Sequence, residues 1–226
     1  PCFYIYRQQM GSQIQTGIVG LMSAAEYDAG KIKKHELTRQ DKEEDRIRHV
    51  DTVNAQTGPV FISYRERQGL NKMVDQITTG APEYDFTADD GIKHTVWVVA
   101  DSRHIEEMKK EFSDVDALYI ADGHHRAAAA ATIARNRRAN DTSGGSSKEY
   151  ESVLAVLFPH TQLKVMDYNR AVKDLNGLTP EQFIEKIHSS FTVSKGFKAR
   201  SPQQFHDFGM YLGGEWYKIT IREGVY

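Results

Sequence analysis

The chain has 226 residues, of which 39% are hydrophobic and 27% are charged, and its formal net charge is −2. This composition is typical of a globular protein with one large domain or two small ones, and the near-neutral charge argues against nucleic acid or anionic membrane as a partner. The single cysteine, Cys2, excludes an intramolecular disulfide and a cysteine-based zinc site. Because no run of about 18 apolar residues occurs, we expect no membrane span and a cytoplasmic protein.

The N-terminal part of the chain predicts alternating strands and helices. It opens with Pro1 rather than Met, inside strand-like sequence, so we expect an N-terminal portion of a longer polypeptide to be missing. A β-hairpin and a short helical turn ending at Gly30 come first. The charged run 37–54 then predicts a surface helix, because its apolar residues recur at helical spacing. These residues are Ile47, Val50 and Val53.

A strand, a helix, a hairpin whose second arm carries Trp97, and a further helix follow up to residue 112. Residues 116–140 predict a strand, a tight turn and a long helix. A loop rich in Gly and Ser (141–150) precedes two predicted strands, 153–159 and 163–170, and a helix with Thr179 as N-cap and Pro180 as its first residue. Three more strands end the chain. The pattern predicts an α+β fold, a mixed sheet with hairpins and flanking helices.

The stretch "YIADGHHRAAAAA" (119–131) combines an acid, a glycine, two histidines and an arginine where the strand becomes the helix. Asp122 ends the strand and Gly123 allows a left-handed turn. His124, His125 and Arg126 then stand at the helix N-terminus, where free N–H groups and the helix dipole favour an anion. Arg126 can hold phosphate oxygens through two bonds. The stretch therefore predicts a phosphate site with an ionisable carboxylate beside it.

A plainer interpretation is also open, in which Asp122 caps the helix, the histidines lie on the surface and Arg126 pairs with a glutamate. A zinc site built on His124 and His125 is disfavoured, because neighbouring side chains on a helix diverge. The basic end of the helix, with Arg135, Arg137 and Arg138, suits a helix C-terminus and is weak evidence for nucleic acid.

"IADGHHRAAAA" closely resembles the loop-to-helix motif of the ParB/sulfiredoxin superfamily, in the form found in free-serine kinases (SerK-like proteins). The wider chain, from Phe3 to about Arg170, also resembles a large uncharacterised bacterial and archaeal family in which "YIADGHHR" recurs. The resemblance implies a nucleotide-binding core at 1–140, with Gly123, His124, His125 and Arg126 on the phosphates. The loop 141–150 would separate this core from a smaller C-terminal α/β portion at 151–226.

In the serine kinases a glutamate upstream of the phosphate loop acts as base towards the substrate hydroxyl. Here Glu36, in "KKHELTRQ", is the candidate by resemblance, although about sixty residues more than in the kinases separate it from the loop. Asp122 could share the base role or hold Mg²⁺, which prefers oxygen ligands. Such charged runs are more often plain solvated surface.

The resemblance thus implies a phosphotransferase that uses ATP or ADP, with CTP as a further candidate, and Mg²⁺ to phosphorylate a small hydroxyl-bearing metabolite such as free L-serine. The alternatives are a nucleotide-binding switch related to ParB, without kinase activity, and a degenerate interaction domain. A sulfiredoxin activity is disfavoured because position 124 is His where a catalytic thiol is needed. A homo-oligomer is compatible with the sequence.

Overall fold

The computed structural model of the protein describes residues 2–143 and 148–225. By its contacts the chain divides into two units, Pro1–Lys164 and Val165–Tyr226, and each unit has its own sheet. An eight-stranded mixed sheet with flanking helices and a separate three-stranded sheet confirm the predicted α+β class.

The strands of the first unit are β1 (Phe3–Met10), β2 (Gln13–Ser23), β3 (Ile32–Lys33), β4 (Val60–Tyr64), β5 (Tyr84–Thr87), β6 (Lys93–Val99), β7 (Leu118–Asp122) and β8 (Ser152–Pro159). Its helices are α1 (Ala24–Asp28), α2 (Gln40–Val53), α3 (Gln68–Ile77), α4 (Ser102–Ser113) and α5 (His124–Asn140). Polar side chains cap two of them. Ser23 accepts a hydrogen bond from the N–H of Glu26 at the start of α1, and Asp101 does the same for Arg103 at α4.

The eight strands lie in the order β3-β7-β4-β8-β2-β1-β6-β5. The predicted opening hairpin, β1–β2, is confirmed, and the strand that carries Trp97, β6, is bonded to strands on both sides. Two neighbouring pairs are parallel: β3 with β7, and β4 with β8. Because parallel neighbours end at the same edge of a sheet, the segments that follow β3 and β7 emerge side by side.

Helix α5 packs on the sheet through its alanine tract. Ala127–Ala131 are all buried, and the tract shares one hydrophobic cluster with Ile62 of β4 and Ile120 of β7. Side chains of a single carbon allow a helix backbone to lie close to the strands beneath it. The tract therefore anchors α5, and with it the residues at its N-terminus.

The second unit contains α6 (Pro180–Ile187), β9 (Phe191–Lys195), β10 (Asp207–Leu212) and β11 (Glu215–Ile221). Its antiparallel strands lie in the order β10-β11-β9. Thr179 accepts a hydrogen bond from the N–H of Gln182, whose side chain accepts one from the N–H of Thr179. This capping box, with Pro180 as the first helical residue, confirms the predicted start of α6.

Some predicted boundaries differ from the structure. The strand predicted at 163–170 is wrong: this stretch is irregular, and its apolar side chains find no sheet to cover, so that Val165 is 97% exposed. In α2 the half-buried positions are Glu43, Ile47 and Val50, whereas Val53 is exposed.

The division of the chain also lies elsewhere than at the predicted loop. Strand β8 pairs with β2 and β4 in the large sheet, so it belongs to the first unit and not to a C-terminal portion at 151–226. The contacts divide the chain after Lys164. Part of the predicted loop 141–150, residues 144–147, lies outside the described residues. No helix in the described ranges combines the length and apolar character that crossing a membrane requires.

Candidate functional site

The turn between β7 and α5 has the left-handed backbone that the sequence predicted. Gly123 has φ +90° and ψ 29°, and no side chain caps the helix that follows. A Cβ atom at Gly123 would lie 2.9 Å from two nitrogens of the Arg126 guanidinium. The first N–H groups of an α-helix have no partner within the helix, so the uncapped α5 can offer its own to a ligand. Glycine is thus required both by the turn and by the approach of Arg126.

Arg126 folds back over this turn onto the carboxylate of Asp122. Its Nη2 donates a hydrogen bond to Oδ2 of Asp122 at 2.7 Å. Both groups reach solvent, and the Asp122 side chain is 78% exposed. An ion pair in such a position contributes only about 0–1 kcal/mol, so an anionic ligand can replace Asp122 as the partner of the guanidinium.

Glu36 comes to the same place because β3 and β7 are parallel. Lys33 pairs with Tyr119, and Glu36 and Asp122 each lie three residues beyond that pair. The Oε2 atom of Glu36 lies 3.5 Å from Nδ1 of His124. Between Glu36 and the turn from β7 to α5 the chain forms α2, β4, α3, β5, β6, α4 and β7, and the two segments are still adjacent.

The side chain of His124 is buried, whereas that of Glu36 is exposed. His124 is 4% exposed, and the ring of His35 packs edge-on against it with 4.5 Å between the ring centroids. Burial lowers the pKa of His124, and the neighbouring His35 lowers it further, while Glu36 and Asp122 partly oppose the shift. The Nε2 atom is buried and has no hydrogen-bond partner among the described residues. Burial thus favours the neutral form of His124, whose ring has one nitrogen near Glu36 and the other without a partner among the described residues.

His125 makes a different contact from that of His124. Its Nε2 accepts a hydrogen bond from the backbone N–H of Arg39, 3.1 Å away, at the residue before α2. No side chain caps α2. The imidazole therefore joins the start of α2 to the start of α5, and its Nε2 is occupied.

Residues that the sequence did not single out complete the junction of α2 with α5. Glu43 accepts hydrogen bonds from the hydroxyls of Thr38 and Thr132, at 3.0 and 3.1 Å. His35 lies in the run that contains Glu36, two residues beyond the end of β3, and that position is the signal that could have identified it.

The basic end of α5 is neutralised by carboxylates. Arg135 pairs with Asp28, Arg137 with Asp51 and Arg138 with Glu151. These pairs are solvent-exposed contacts of the helix with its neighbours, and they leave little net positive charge for a nucleic acid.

The predicted Mg²⁺ ligand, Asp122, has its carboxylate in the Arg126 pair. Within residues 2–143 and 148–225 no group of three or more His, Cys, Asp or Glu side chains is placed to hold a metal ion. Mg²⁺ at nucleotide sites commonly uses only one or two protein carboxylates, with phosphate and water oxygens completing its shell. A single exposed carboxylate such as that of Asp122 fits that requirement.

A family model described as "Protein of unknown function (DUF1015)" matches residues 1–225. No curated protein and no solved structure matches the chain.

Proposed function

The chain belongs to the DUF1015 family, and we propose that it is a phosphotransferase that moves a phosphoryl group from ATP or ADP to the hydroxyl of a small molecule such as free L-serine. The observation that supports this most directly is the position of Glu36 at the uncapped N-terminus of α5, 3.5 Å from His124. The resemblance of "IADGHHR" to the phosphate loop of SerK-like proteins supports the same function.

The proposed step requires a bound polyphosphate, a hydroxyl beside it and a proton acceptor. The N–H groups of the first turn of α5 and the guanidinium of Arg126 bind the phosphate oxygens. Glu36 accepts the proton of the substrate hydroxyl as its oxygen attacks the terminal phosphorus. The bond from phosphorus to the bridging oxygen breaks, and the nucleotide leaves with one phosphate fewer, as ADP from ATP or AMP from ADP.

Two further roles follow from the chemistry of the residues present. Asp122, when released by Arg126, is the carboxylate that would hold Mg²⁺, which would neutralise charge on the phosphates. His125 is bonded to the backbone of Arg39, so its proposed contribution is to hold α2 beside the phosphates. A kinase of free metabolites that uses these nucleotides would work in the cytoplasm.

The test is phosphoserine formation by the purified chain with ATP or ADP, Mg²⁺ and L-serine, followed by ³¹P NMR and mass spectrometry. We expect Glu36→Gln to lower kcat by about 10²- to 10⁴-fold, the range for loss of a general base, with little change in nucleotide affinity. Glu44→Gln is the matched control, because among the described residues Glu44 bonds only Gln40, on the exposed side of α2. Equal activity of Glu36→Gln and Glu44→Gln would contradict the assignment.

The second candidate is a nucleotide-binding switch of the ParB type, without transfer. The bond from Arg39 to His125 favours it, because a ligand at the N-terminus of α5 would act on the start of α2 through that contact. In the same experiment, tight binding of ATP, ADP or CTP without any phosphoserine would favour the switch. Calorimetry with each nucleotide separates these outcomes from an interaction domain that binds none of them.

A further inference from the structure

Glu36 needs a restraint if it is to act as a base. Its side chain is 62% exposed, and it lies on an irregular segment between β3 and α2. A long side chain in such a position occupies many rotamers, and general-base catalysis requires its carboxylate in one place. His124 is the polar side chain that approaches the Glu36 carboxylate within 4 Å in the described structure.

The chemistry of this contact fixes the tautomer of His124. A carboxylate is only a hydrogen-bond acceptor, so a nitrogen that faces it favourably must carry a proton. Nδ1 faces Oε2 of Glu36 at 3.5 Å. Catalytic hydrogen bonds that are long in a substrate-free site commonly tighten in the complex with substrate. In a neutral ring the other nitrogen, Nε2, is then a bare acceptor.

The bare Nε2 is evidence that His124 serves something other than stability. The atom is buried without a partner in residues 2–143 and 148–225, and burying an unsatisfied acceptor opposes folding. The ring of His35 packs edge-on against His124 and helps to hold its orientation. An apolar side chain would fill the same space without that penalty. What an apolar side chain lacks is the Nδ1–H that points to Glu36.

We propose that His124 is a positioning residue that orients the Glu36 carboxylate through its Nδ1–H group, while taking no proton itself. This inference rests on the proposed function. The substrate proton goes to Glu36, and His124 keeps one proton on Nδ1 throughout the step. The arrangement assigns different work to two adjacent histidines: His124 orients the base, and His125 holds the start of α2.

The tautomer is measured first, because this readout does not depend on activity. The intact chain is labelled with ¹⁵N-histidine, the His124 signals are assigned by their loss in His124→Asn, and long-range ¹H–¹⁵N spectra are recorded at neutral pH. We expect a protonated Nδ1 and an unprotonated Nε2. Glu36→Gln should shift the Nδ1 signal, because a neutral amide oxygen accepts a hydrogen bond more weakly than a carboxylate, and Glu44→Gln should leave it unchanged. A proton on Nε2, or an identical spectrum in Glu36→Gln, would overturn the inference.

Substitutions at position 124 then separate positioning from packing. An asparagine amide nitrogen lies approximately where Nδ1 lies, whereas the glutamine amide reaches the place of Nε2. We expect His124→Asn to keep kcat within about 10-fold of wild type and His124→Gln to lose about 100-fold or more, with KM for the nucleotide little changed in both. His49→Asn is the control, since His49 lies on the exposed part of α2 and contacts Thr57, which follows that helix.

Equal losses in the asparagine and glutamine variants would show that His124 only packs, and would overturn the inference. A wild-type chain that forms no phosphoserine would instead refute the proposed function, and the inference about catalysis with it. The NMR result distinguishes the two cases, because it reports whether the contact between His124 and Glu36 exists.

Discussion

Among the described residues, each unit of the protein buries one acidic or basic side chain. In the first unit His124 is 4% exposed, and in the second unit Asp207 is 7% exposed. Asp207 has a partner for both carboxylate oxygens: Nζ of Lys218 lies 2.8 Å from Oδ2, and the hydroxyl of Thr220 donates to Oδ1 at 2.6 Å. Thr220 stands directly opposite Asp207 in the β10–β11 pair. His124 has Glu36 beside one nitrogen, and its other nitrogen is unsatisfied.

The two side chains show how the partners of a buried ionisable group indicate its role. Lys218 and then Thr220 hold the pKa of Asp207 below its usual value, since both favour the charged form. Asp207 therefore stabilises the second unit as long as Lys218 and Thr220 stay in place. Burial and then the neighbouring His35 lower the pKa of His124, and Glu36 and Asp122 only partly oppose that shift. A buried polar residue whose hydrogen bonds are not all made within the fold is the better candidate for a functional role.

Replacing each buried group by leucine should give changes in stability of opposite sign. Asp207→Leu leaves the ammonium of Lys218 without its carboxylate, so we expect the largest loss, a strongly lowered midpoint of denaturation for the second unit. His124→Leu removes an unsatisfied acceptor, and we expect a gain of about 1 kcal/mol in the first unit.

The two tryptophans allow these changes to be measured separately. Trp97 reports on the first unit and Trp216 on the second, so urea titrations of Trp97→Phe and Trp216→Phe backgrounds follow one unit each. A loss of stability in His124→Leu comparable with that in Asp207→Leu would mean that His124 is structural too, and the comparison would fail.

The same two regions show how much the sequence could predict. The strand, turn and helix around residues 119–138 were predictable, because a left-handed glycine and an alanine tract act locally. The proximity of Glu36 to His124 was a matter of resemblance only, since it depends on the short parallel pair β3–β7 between segments far apart in sequence. The unsatisfied Nε2 and the Asp207–Lys218 pair were not predicted, because burial and strand register decide both.

Gly209 in the second unit and Gly123 in the first unit allow the same comparison to be made for the backbone. A Cβ at Gly209, in β10, would collide with the backbone carbonyl of Arg200, which cannot rotate away. We expect Gly209→Ala to cost about 1–3 kcal/mol in the second unit. A Cβ at Gly123 meets only the movable guanidinium of Arg126, so the cost of Gly123→Ala is about 1–2 kcal/mol and comes from the left-handed backbone.

Nucleotide binding separates the two alanine variants. We expect Gly123→Ala to weaken binding of ATP by about 10-fold, because the displaced Arg126 loses its place beside the α5 amides, and Gly209→Ala to leave the affinity unchanged. Gly91→Ala is the matched control for the strained backbone: it has φ +80° and open space around it. Equal weakening in Gly91→Ala and Gly123→Ala would assign the effect to lost stability and not to the site.

The smallest effect should appear on acidification, in two separate pH ranges. For both His124 and Asp207 the folded pKa lies below the unfolded one, so the unfolded chain binds more protons and stability falls as the pH falls. The fall begins below about pH 6.5 for His124 and below about pH 4 for Asp207, near their unfolded pKa values. His124→Leu should abolish the first decline, read from Trp97, and Asp207→Asn the second, read from Trp216. A first decline that survives in His124→Leu would show that another group causes it, and the contrast between the two units would then lose its support from His124.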